Sequence, residues 1–336
     1  MAAMHGGAET IYPEYQAKLK QPGLGASNTA AARTTQARNP DRGTIELLPV
    51  QGNVYLLAGA GGNSVLQVGE SGAILVDTKS GPLTEQVLAE IRKLVPAGKT
   101  LRIIMNTSAD ADHIGGNQKI AETLGSSAAW TIINTPGGSN AAVKIVSHDN
   151  VLPRVSDLKN TAWPTETFIE ADKEFFFNGE PVSMRHVPAA HTDGDSIVVF
   201  RKSDVVATGD IFRTDSYPVI DLARGGSVQG VLNGLNLVLD IAIPEHHEEG
   251  GTMIVPGHGR IADEFDLVEY RDMVTIVRDR VQALVKKGMT LEQVKAERPT
   301  RDYDSRYGAA SGAWTTDQFV EAVFKSLSAP KATSTQ

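Results

Sequence analysis

The chain alternates two blocks of short strands with two blocks of helices, and this order constrains its fold more than any other feature. The first block predicts four apolar strands separated by glycines, as is typical of an antiparallel meander: 45–50, 54–58, 64–68 and 73–77. A helical spacing at 83–94 and a buried β-type run at 101–105 follow. We then expect a helix to begin near Gly116 and a further strand at 130–134.

A second block of strands and helices completes the pattern. Its predicted strands are 174–177, 182–187, 196–201, 205–208 and 253–255, with a helix at about 227–241 before the last of them. Apolar residues then repeat at alternating steps of three and four, which predicts a long helix closed by Gly288. Thr290 and Gln293 form a capping box for the next helix, and 316–327 is the last predicted helix.

This order predicts an α+β fold of two packed sheets with helices outside, although by itself it fits several such architectures. It also divides the chain into four predicted parts. These are an extended N-terminal arm at 1–43, a main domain at 44–265, a helical C-terminal extension at 266–328 and a disordered tail at 329–336.

The composition excludes several classes of function. The absence of cysteine excludes disulfides, a zinc ribbon and a thiol nucleophile. A formal net charge of −8 argues against a nucleic-acid surface, because binding phosphate requires clustered Lys and Arg. The apolar runs are strand-sized, so we expect no membrane-spanning helix. The first residues contain no apolar segment of a signal peptide; we expect a soluble protein, periplasmic or secreted if a signal peptide was removed and cytoplasmic otherwise.

Three histidines and an aspartate follow predicted strands in contexts that suggest chemistry. His113 follows Asp112, His191 lies in the segment PAAHTDGD, His258 lies in VPGHG, and Asp210 ends TGD. Strand ends can aim side chains at one point, and imidazole with carboxylate suits Zn²⁺ or iron. Taken singly, such a histidine is more often hydrogen-bonded or on the surface, and such an aspartate is more often a cap or turn residue.

Together these residues resemble the metallo-β-lactamase superfamily, motif by motif, over about 45–265. The family's first motif, HxHxDH, is altered here: residues 108–113 read SADADH, between an Asn-Thr pair and a Gly-Gly-Asn segment. The second, third and fourth motifs match at 190–195, 208–210 and 256–259, and Asp77 matches a further signature that is usually structural. The resemblance implies the αββα metallo-β-lactamase sandwich, with a helical C-terminal extension.

The resemblance also implies two adjacent metal sites. The second site would use Asp112, His113 and His258, with Asp210 bridging both metals, and this set is complete. The first site would use positions 108, 110 and 191. It keeps His191 but has Ser108 and Asp110 where the family has imidazoles.

Three hypotheses about the metal content remain open. One Zn²⁺ could bind in the second site alone, or Asp110 could serve as a carboxylate ligand beside His191 so that two ions bind, iron included. Alternatively, the altered motif has abolished catalysis and the chain is a non-catalytic metal- or ligand-binding relative. Asp110, Asp112 and Asp210 would repel one another without a cation, which makes an empty site the least favourable state.

The function implied by the resemblance is metal-dependent hydrolysis of a small molecule. A metal-bound hydroxide would attack an ester-like or amide-like bond of a lactam, a lactone or a related compound, with Asp112 orienting the nucleophile and shuttling its proton. A di-iron redox protein is disfavoured, because no flavin-binding domain follows. We expect no nucleic-acid or membrane partner and leave a homo-oligomer open. Four residues are candidate substrate contacts, although capping or packing explains the last three equally well: Ser108, Arg213, Tyr217 and Arg224.

Overall fold

The structure is a computed structural model and describes residues 43–95, 100–124, 143–159, 162–246 and 250–328. Apart from Gly43, the predicted arm at 1–43 lies outside the described residues, as do the predicted strand at 130–134 and the predicted tail at 329–336. Within the described ranges, no helix combines the length and the apolar character needed to cross a membrane.

Seven strands form the first sheet, and they lie side by side in the order of the chain. They are β1 (Ile45–Gln51), β2 (Val54–Gly59), β3 (Ser64–Gly69), β4 (Gly72–Val76), β5 (Leu101–Met105), β6 (Lys144–His148) and β7 (Glu166–Phe168). The first four strands pair antiparallel, as the glycine-separated runs predict, and β4 to β7 pair parallel. The strands β6 and β7 were not expected from the sequence.

Five strands form the second sheet in the order β12-β11-β10-β9-β8. They are β8 (Asp172–Phe177), β9 (Glu180–His186), β10 (Ser196–Phe200), β11 (Val205–Ala207) and β12 (Met253–Val255). The β11–β12 pair is parallel and the other pairs are antiparallel. Consequently β9, β11 and β12 run in the same direction and end at the same edge of the sheet.

Helices lie between and after the strands, and most of the predicted ones are present. They are α1 (Thr84–Leu94), α2 (Ala111–Ile114), α3 (Asn117–Leu124), α4 (Val228–Ile241), α5 (Glu264–Lys286), α6 (Leu291–Ala296), α7 (Asp304–Tyr307) and α8 (Thr316–Ser328). The predicted capping box forms between Thr290 and Gln293 at the start of α6. Gly288 has the left-handed φ of 76° expected of the residue that closes a helix.

Three apolar clusters order these elements into four layers. One cluster lies between the two sheets and joins residues such as Leu56 and Ile74 to Met184 and Phe200. A second packs the outer face of the first sheet against α1 and α3. A third packs the outer face of the second sheet against α4, α5 and α8. Helices, sheet, sheet and helices therefore stack as the predicted αββα sandwich.

Candidate metal centre

The candidate residues meet at one edge of the sandwich, where strands from both sheets end. The segment after β5 carries Asp110 at the N-cap of α2 and Asp112 and His113 within α2. The segments after β9, β11 and β12 carry His191, Asp210 and His258. Their donor atoms form two groups, in each of which all ligand atoms lie within 4.8 Å of one another. One group contains Asp112, His113 and His258, and the other contains Asp110, His191 and Asp210. The sequence motifs therefore converge in space as predicted.

His113 is the most firmly oriented of these side chains. Its Nδ1 atom lies 2.7 Å from Asp77 Oδ2, at the end of β4, and the imidazole is fully buried. Thr107 fixes the same carboxylate, because its backbone N–H and its hydroxyl both donate to Asp77 at 2.8 and 2.6 Å. A carboxylate on one ring nitrogen orients the ring and leaves the other nitrogen for a metal. Here Nε2 is the nitrogen that faces the cluster.

The residues of the second predicted metal site, Asp112, His113, His258 and the bridging Asp210, form what we call the second cluster. It contains three buried ligand atoms without a hydrogen-bond partner: His113 Nε2, Asp210 Oδ1 and His258 Nε2. Asp210 Oδ1 lies 3.5 Å from each of the two imidazole nitrogens, and His258 Nε2 lies 3.0 Å from Asp112 Oδ2. Buried polar groups are seldom left unpaired in a folded protein, since desolvation is costly. Donors on a tetrahedral Zn²⁺ are about 3.4 Å apart, given bond lengths of about 2.1 Å. These four residues therefore fit a divalent cation.

Asp210 divides its two carboxylate oxygens between the cluster and a buried arginine. Oδ1 faces His113 and His258, whereas Oδ2 lies 3.3 Å from Arg213 Nη1. Burial alone would raise the pKa of Asp210, but the charges of Arg213 and the histidines hold it well below its usual range. Arg213 thus contacts a candidate ligand directly.

The residues of the first predicted metal site, Ser108, Asp110 and His191, form the first cluster, and here the ligand atoms of Asp110 and His191 already have partners. Asp110 Oδ2 lies 2.6 Å from His191 Nε2, and Asp110 Oδ1 lies 2.6 Å from Arg224 Nη2. His191 Nδ1 lies 2.9 Å from the carbonyl oxygen of Val219, so both ring nitrogens are engaged. At 2.6 Å, Asp110 Oδ2 and His191 Nε2 are joined by a hydrogen bond, and they are closer together than two ligand atoms of one cation would be. This arrangement differs from the open spacing of the second cluster.

The electrostatics of the first cluster agree with this geometry. Burial lowers the pKa of His191, but the hydrogen bond to Asp110 and the nearby carboxylates outweigh it and raise the pKa to about 9. Burial likewise raises the pKa of Asp110, but His191 and Arg224 outweigh it and lower that pKa far below the usual range. The pair is therefore ionic at neutral pH in the absence of a metal. Asp77 and Asp210 likewise raise the pKa of His113 against the effect of its burial, so it is the short contacts of Asp110, and not the charge of an imidazole, that distinguish the two clusters.

Two predicted substrate contacts lie in different surroundings. Ser108 is buried, its hydroxyl lies 3.3 Å from Asp110 Oδ2, and it accepts the Asp110 backbone N–H at 3.2 Å. Tyr217 lies apart from both clusters; its hydroxyl donates to Asp304 and its ring stacks on Phe319 at 4.6 Å. The structure therefore brings Ser108 and the two arginines to the centre, but not Tyr217.

Lys79 is a residue of this region that the sequence motifs did not indicate. It is fully buried, and its ammonium donates to the backbone oxygens of Ala60 (2.9 Å) and Gly62. Burial lowers the pKa of Lys79 to about 8, although the charge of Asp112 opposes this. The sequence feature that could have indicated Lys79 is its position two residues after Asp77, just beyond a predicted buried strand.

Comparisons with known proteins agree on the fold. A family model described as the metallo-beta-lactamase superfamily matches residues 49–259. A stereoselective inverting sec-alkylsulfatase from Pseudomonas sp. is 15% identical with a TM-score of 0.62, over 84% of this chain and 50% of that one. A metallo-beta-lactamase from Pontibacter korlensis is 15% identical with a TM-score of 0.52, over 69% and 99%. The DIM-1 metallo-beta-lactamase is 17% identical with a TM-score of 0.52, over 69% and 98%.

At such low identity the similar structures show the fold alone, and the chain spans about half the length of the alkylsulfatase. No curated protein sequence matches the chain. The family model, by contrast, covers well over half of the chain and includes every candidate ligand. The chain therefore belongs to the metallo-β-lactamase superfamily.

Proposed function

We propose that the chain is a metal-dependent hydrolase of a small molecule and that it holds one Zn²⁺ in the second cluster. The observation that carries this proposal is the set of three buried, unpartnered donor atoms on His113, Asp210 and His258. Asp210 Oδ1 lies 3.5 Å from each of the two imidazole nitrogens, which suits three protein ligands of a tetrahedral cation and leaves its fourth position for water. The carboxylate of Asp112 lies beside these ligands, with Oδ2 3.0 Å from His258 Nε2. When bound, the cation acidifies a water molecule and polarises the bond under attack.

Asp112 is suited to orient the nucleophile and to accept its proton. It is the most open of the four candidate ligands, with a side chain that is 33% exposed, whereas that of His113 is fully buried. Burial raises the pKa of Asp112, but the contact with His258 and the charge of His113 lower it below its usual value. The carboxylate is therefore ionised at neutral pH and can accept a proton.

The proposed substrate is a small molecule with an ester-like or amide-like bond, such as a lactam or a lactone. The similar structures are described as a sec-alkylsulfatase and as metallo-β-lactamases, so a sulfate ester belongs in the test panel as well. Both classes of reaction place negative charge on oxygen in the transition state, which a cation stabilises.

Elemental analysis of protein purified without chelator tests the proposal directly. We expect one equivalent of zinc per chain, together with hydrolysis of a chromogenic lactam, a carboxylic ester or an alkyl sulfate. Two equivalents of iron would support the di-iron redox alternative instead. Neither metal nor turnover would support a non-catalytic binding protein.

Replacing Asp77 tests whether the second cluster is the metal site without altering any ligand. Asp77→Ala removes the carboxylate that orients His113, and loss of such a partner typically weakens metal binding about 10–100-fold. The measurement is a competition titration with a chromophoric chelator. Asp279→Ala is the matched control, because this carboxylate is 58% exposed and pairs with Arg278 on α5. Equal affinity in the two variants would contradict the assignment of His113 as a ligand.

A further inference from the structure

We infer that the guanidinium of Arg224 takes the place of the first metal ion, so that the centre is built for a single cation. This inference rests on the proposed metal site at Asp112, His113, Asp210 and His258. In addition, Asp110 of the altered motif at positions 108 and 110 forms an internal ion-pair network with Arg224. The first cluster is thus complete without a metal.

Arg224 already supplies the positive charge that the first cluster requires. Its Nη2 atom lies 2.6 Å from Asp110 Oδ1, and its Nε atom lies 2.6 Å from Asp221 Oδ2. The other oxygen of Asp110 contacts His191 at 2.6 Å. Asp110 therefore stands between an imidazole and a guanidinium, and both of its oxygens are engaged.

Hydrogen bonds hold the backbone of Arg224 beside the first cluster. Arg224 ends a short 3₁₀-helix, Leu222–Arg224, whose N-cap Asp221 accepts the Arg224 backbone N–H through Oδ1 at 3.0 Å. Arg154 Nη2 donates to the Arg224 carbonyl at 3.0 Å, and Asp193 N–H donates to the same oxygen at 2.9 Å. With this backbone held, the guanidinium reaches Asp110 and Asp221 and pairs with both carboxylates.

A cation would have to displace this network in order to enter the first cluster. It would need to break the short contacts that Asp110 makes with His191 and Arg224, and it would then lie beside a permanent positive charge. Ser108 offers only a neutral hydroxyl, which accepts the Asp110 backbone N–H. Asp210 turns Oδ1 toward the second cluster and Oδ2 toward Arg213. Asp210 Oδ1 is thus the one carboxylate oxygen of these residues that is not engaged, and it is shared with His113 and His258.

Counting the bound ions in wild type and Arg224→Gln tests the inference. Zinc-free protein is titrated with Zn²⁺ by calorimetry, and the dialysed product is checked by elemental analysis. We expect one equivalent in the wild type and two in Arg224→Gln, because the substitution frees Asp110 and His191 as ligands beside Asp210. Arg224→Ala repeats the measurement with a smaller side chain, in case the glutamine variant does not fold.

Three control variants separate replacement of a metal from a merely structural ion pair. Arg224→Lys keeps the charge and should stay at one equivalent. Asp110→Asn breaks the same ion pair but removes the anionic ligand, so it should also stay at one. Arg280→Gln breaks a distant ion pair with Asp302 and should leave the wild-type count unchanged.

The possible outcomes distinguish this inference from the proposed function. A wild type that binds two ions, or folded Arg224→Gln and Arg224→Ala variants that bind only one, would overturn the inference and leave the hydrolase proposal standing. A wild type that binds no ion in either measurement would overturn the proposed function, and the inference with it. One ion in the wild type and two in the variants without Arg224 would support both.

Discussion

Lys79 is a buried side chain that supports the proposed metal centre without being one of its candidate ligands. Its ammonium bridges two backbone oxygens of the loop between β2 and β3, those of Ala60 and Gly62. Gly62 lies against the centre so closely that a Cβ atom there would be 3.5 Å from both His113 Nε2 and His258 Nε2. The lysine therefore ties the end of β4 to a loop that covers the imidazoles.

Lys79→Met should destabilise the protein and weaken metal binding together. Removing the ammonium leaves two carbonyl groups without this donor, which costs about 1–3 kcal/mol in the free energy of unfolding when such groups are buried. Urea unfolding in the presence of chelator measures the first effect, and a zinc competition titration measures the second. Lys93→Met is the control; this lysine is 61% exposed and should change stability by less than about 0.5 kcal/mol. Equal stability of the two variants would contradict the role of Lys79.

The candidate ligands were predictable from the sequence, but their ion-pair partners were not. His113, His191, Asp210 and His258 each lie in a motif of recognisable order, and the structure brings all four together. The motif shows that Asp110 stands where the family has a histidine. Its ion pair with Arg224, however, joins two segments that are distant in sequence. Such a contact follows from the tertiary fold, and no local spacing indicates it.

The turn after the 3₁₀-helix Leu222–Arg224 positions one of these partners. Gly225 adopts a left-handed φ of 83°, and Gly226 then packs directly on the loop that carries His191. A Cβ atom on Gly226 would lie 2.2 Å from the carbonyl oxygen of His191 and 2.9 Å from that of Ala190. Only glycine permits this approach, so the close packing of Gly226 fixes the distance between this turn and the loop that carries His191.

Gly226→Ala should therefore destabilise the protein through overpacking. The added methyl group must push the backbone of His191 away, and such insertions typically cost about 1–3 kcal/mol. Chemical unfolding in the presence of chelator measures this free energy without the contribution of a bound ion. Gly81→Ala is the matched control, because its Cβ would lie 3.5 Å from the nearest oxygen, an ordinary contact. If the two variants unfold at the same denaturant concentration, the close packing of this turn is not rigid.

Most elements were predicted, including the three-residue strands β11 and β12, but the strands β6 and β7 were not. The meander β1–β4 and the long helix α5 have strong periodicity, which is a local property of the sequence. β6 and β7 have five and three residues and pair only with neighbouring parallel strands, so their formation depends on the sheet beside them. The 3₁₀-helix Leu222–Arg224 is likewise too short to show a periodic pattern in the sequence.

The C-terminal helices share one apolar core with the second sheet. That cluster joins Val199 of β10 and Val231 of α4 to Tyr270 of α5 and Phe319 of α8. Within the described residues, α5 and α8 therefore pack directly on the second sheet, as the sequence predicted for the C-terminal helices. We therefore expect a substitution in the core of α8 to destabilise the strands that carry the candidate metal ligands as well.

Phe319→Ala tests this coupling. The side chain is fully buried and stacks on Tyr217, so truncation should cost about 3–5 kcal/mol through lost burial and the cavity left behind. Native-state hydrogen exchange, followed by mass spectrometry in the presence of chelator, should show reduced protection in α4, β10 and β11 as well as in α8.

A phenylalanine on the edge strand of the second sheet provides the control for this experiment. Phe176→Ala removes a side chain that is 77% exposed on the edge strand β8, and it should change stability by less than about 0.5 kcal/mol. Loss of protection confined to α8 in Phe319→Ala would mean that the helix unfolds alone and that the shared core does not act cooperatively. Loss of protection in β11 would instead connect the packing of a C-terminal helix to the strand whose end carries Asp210.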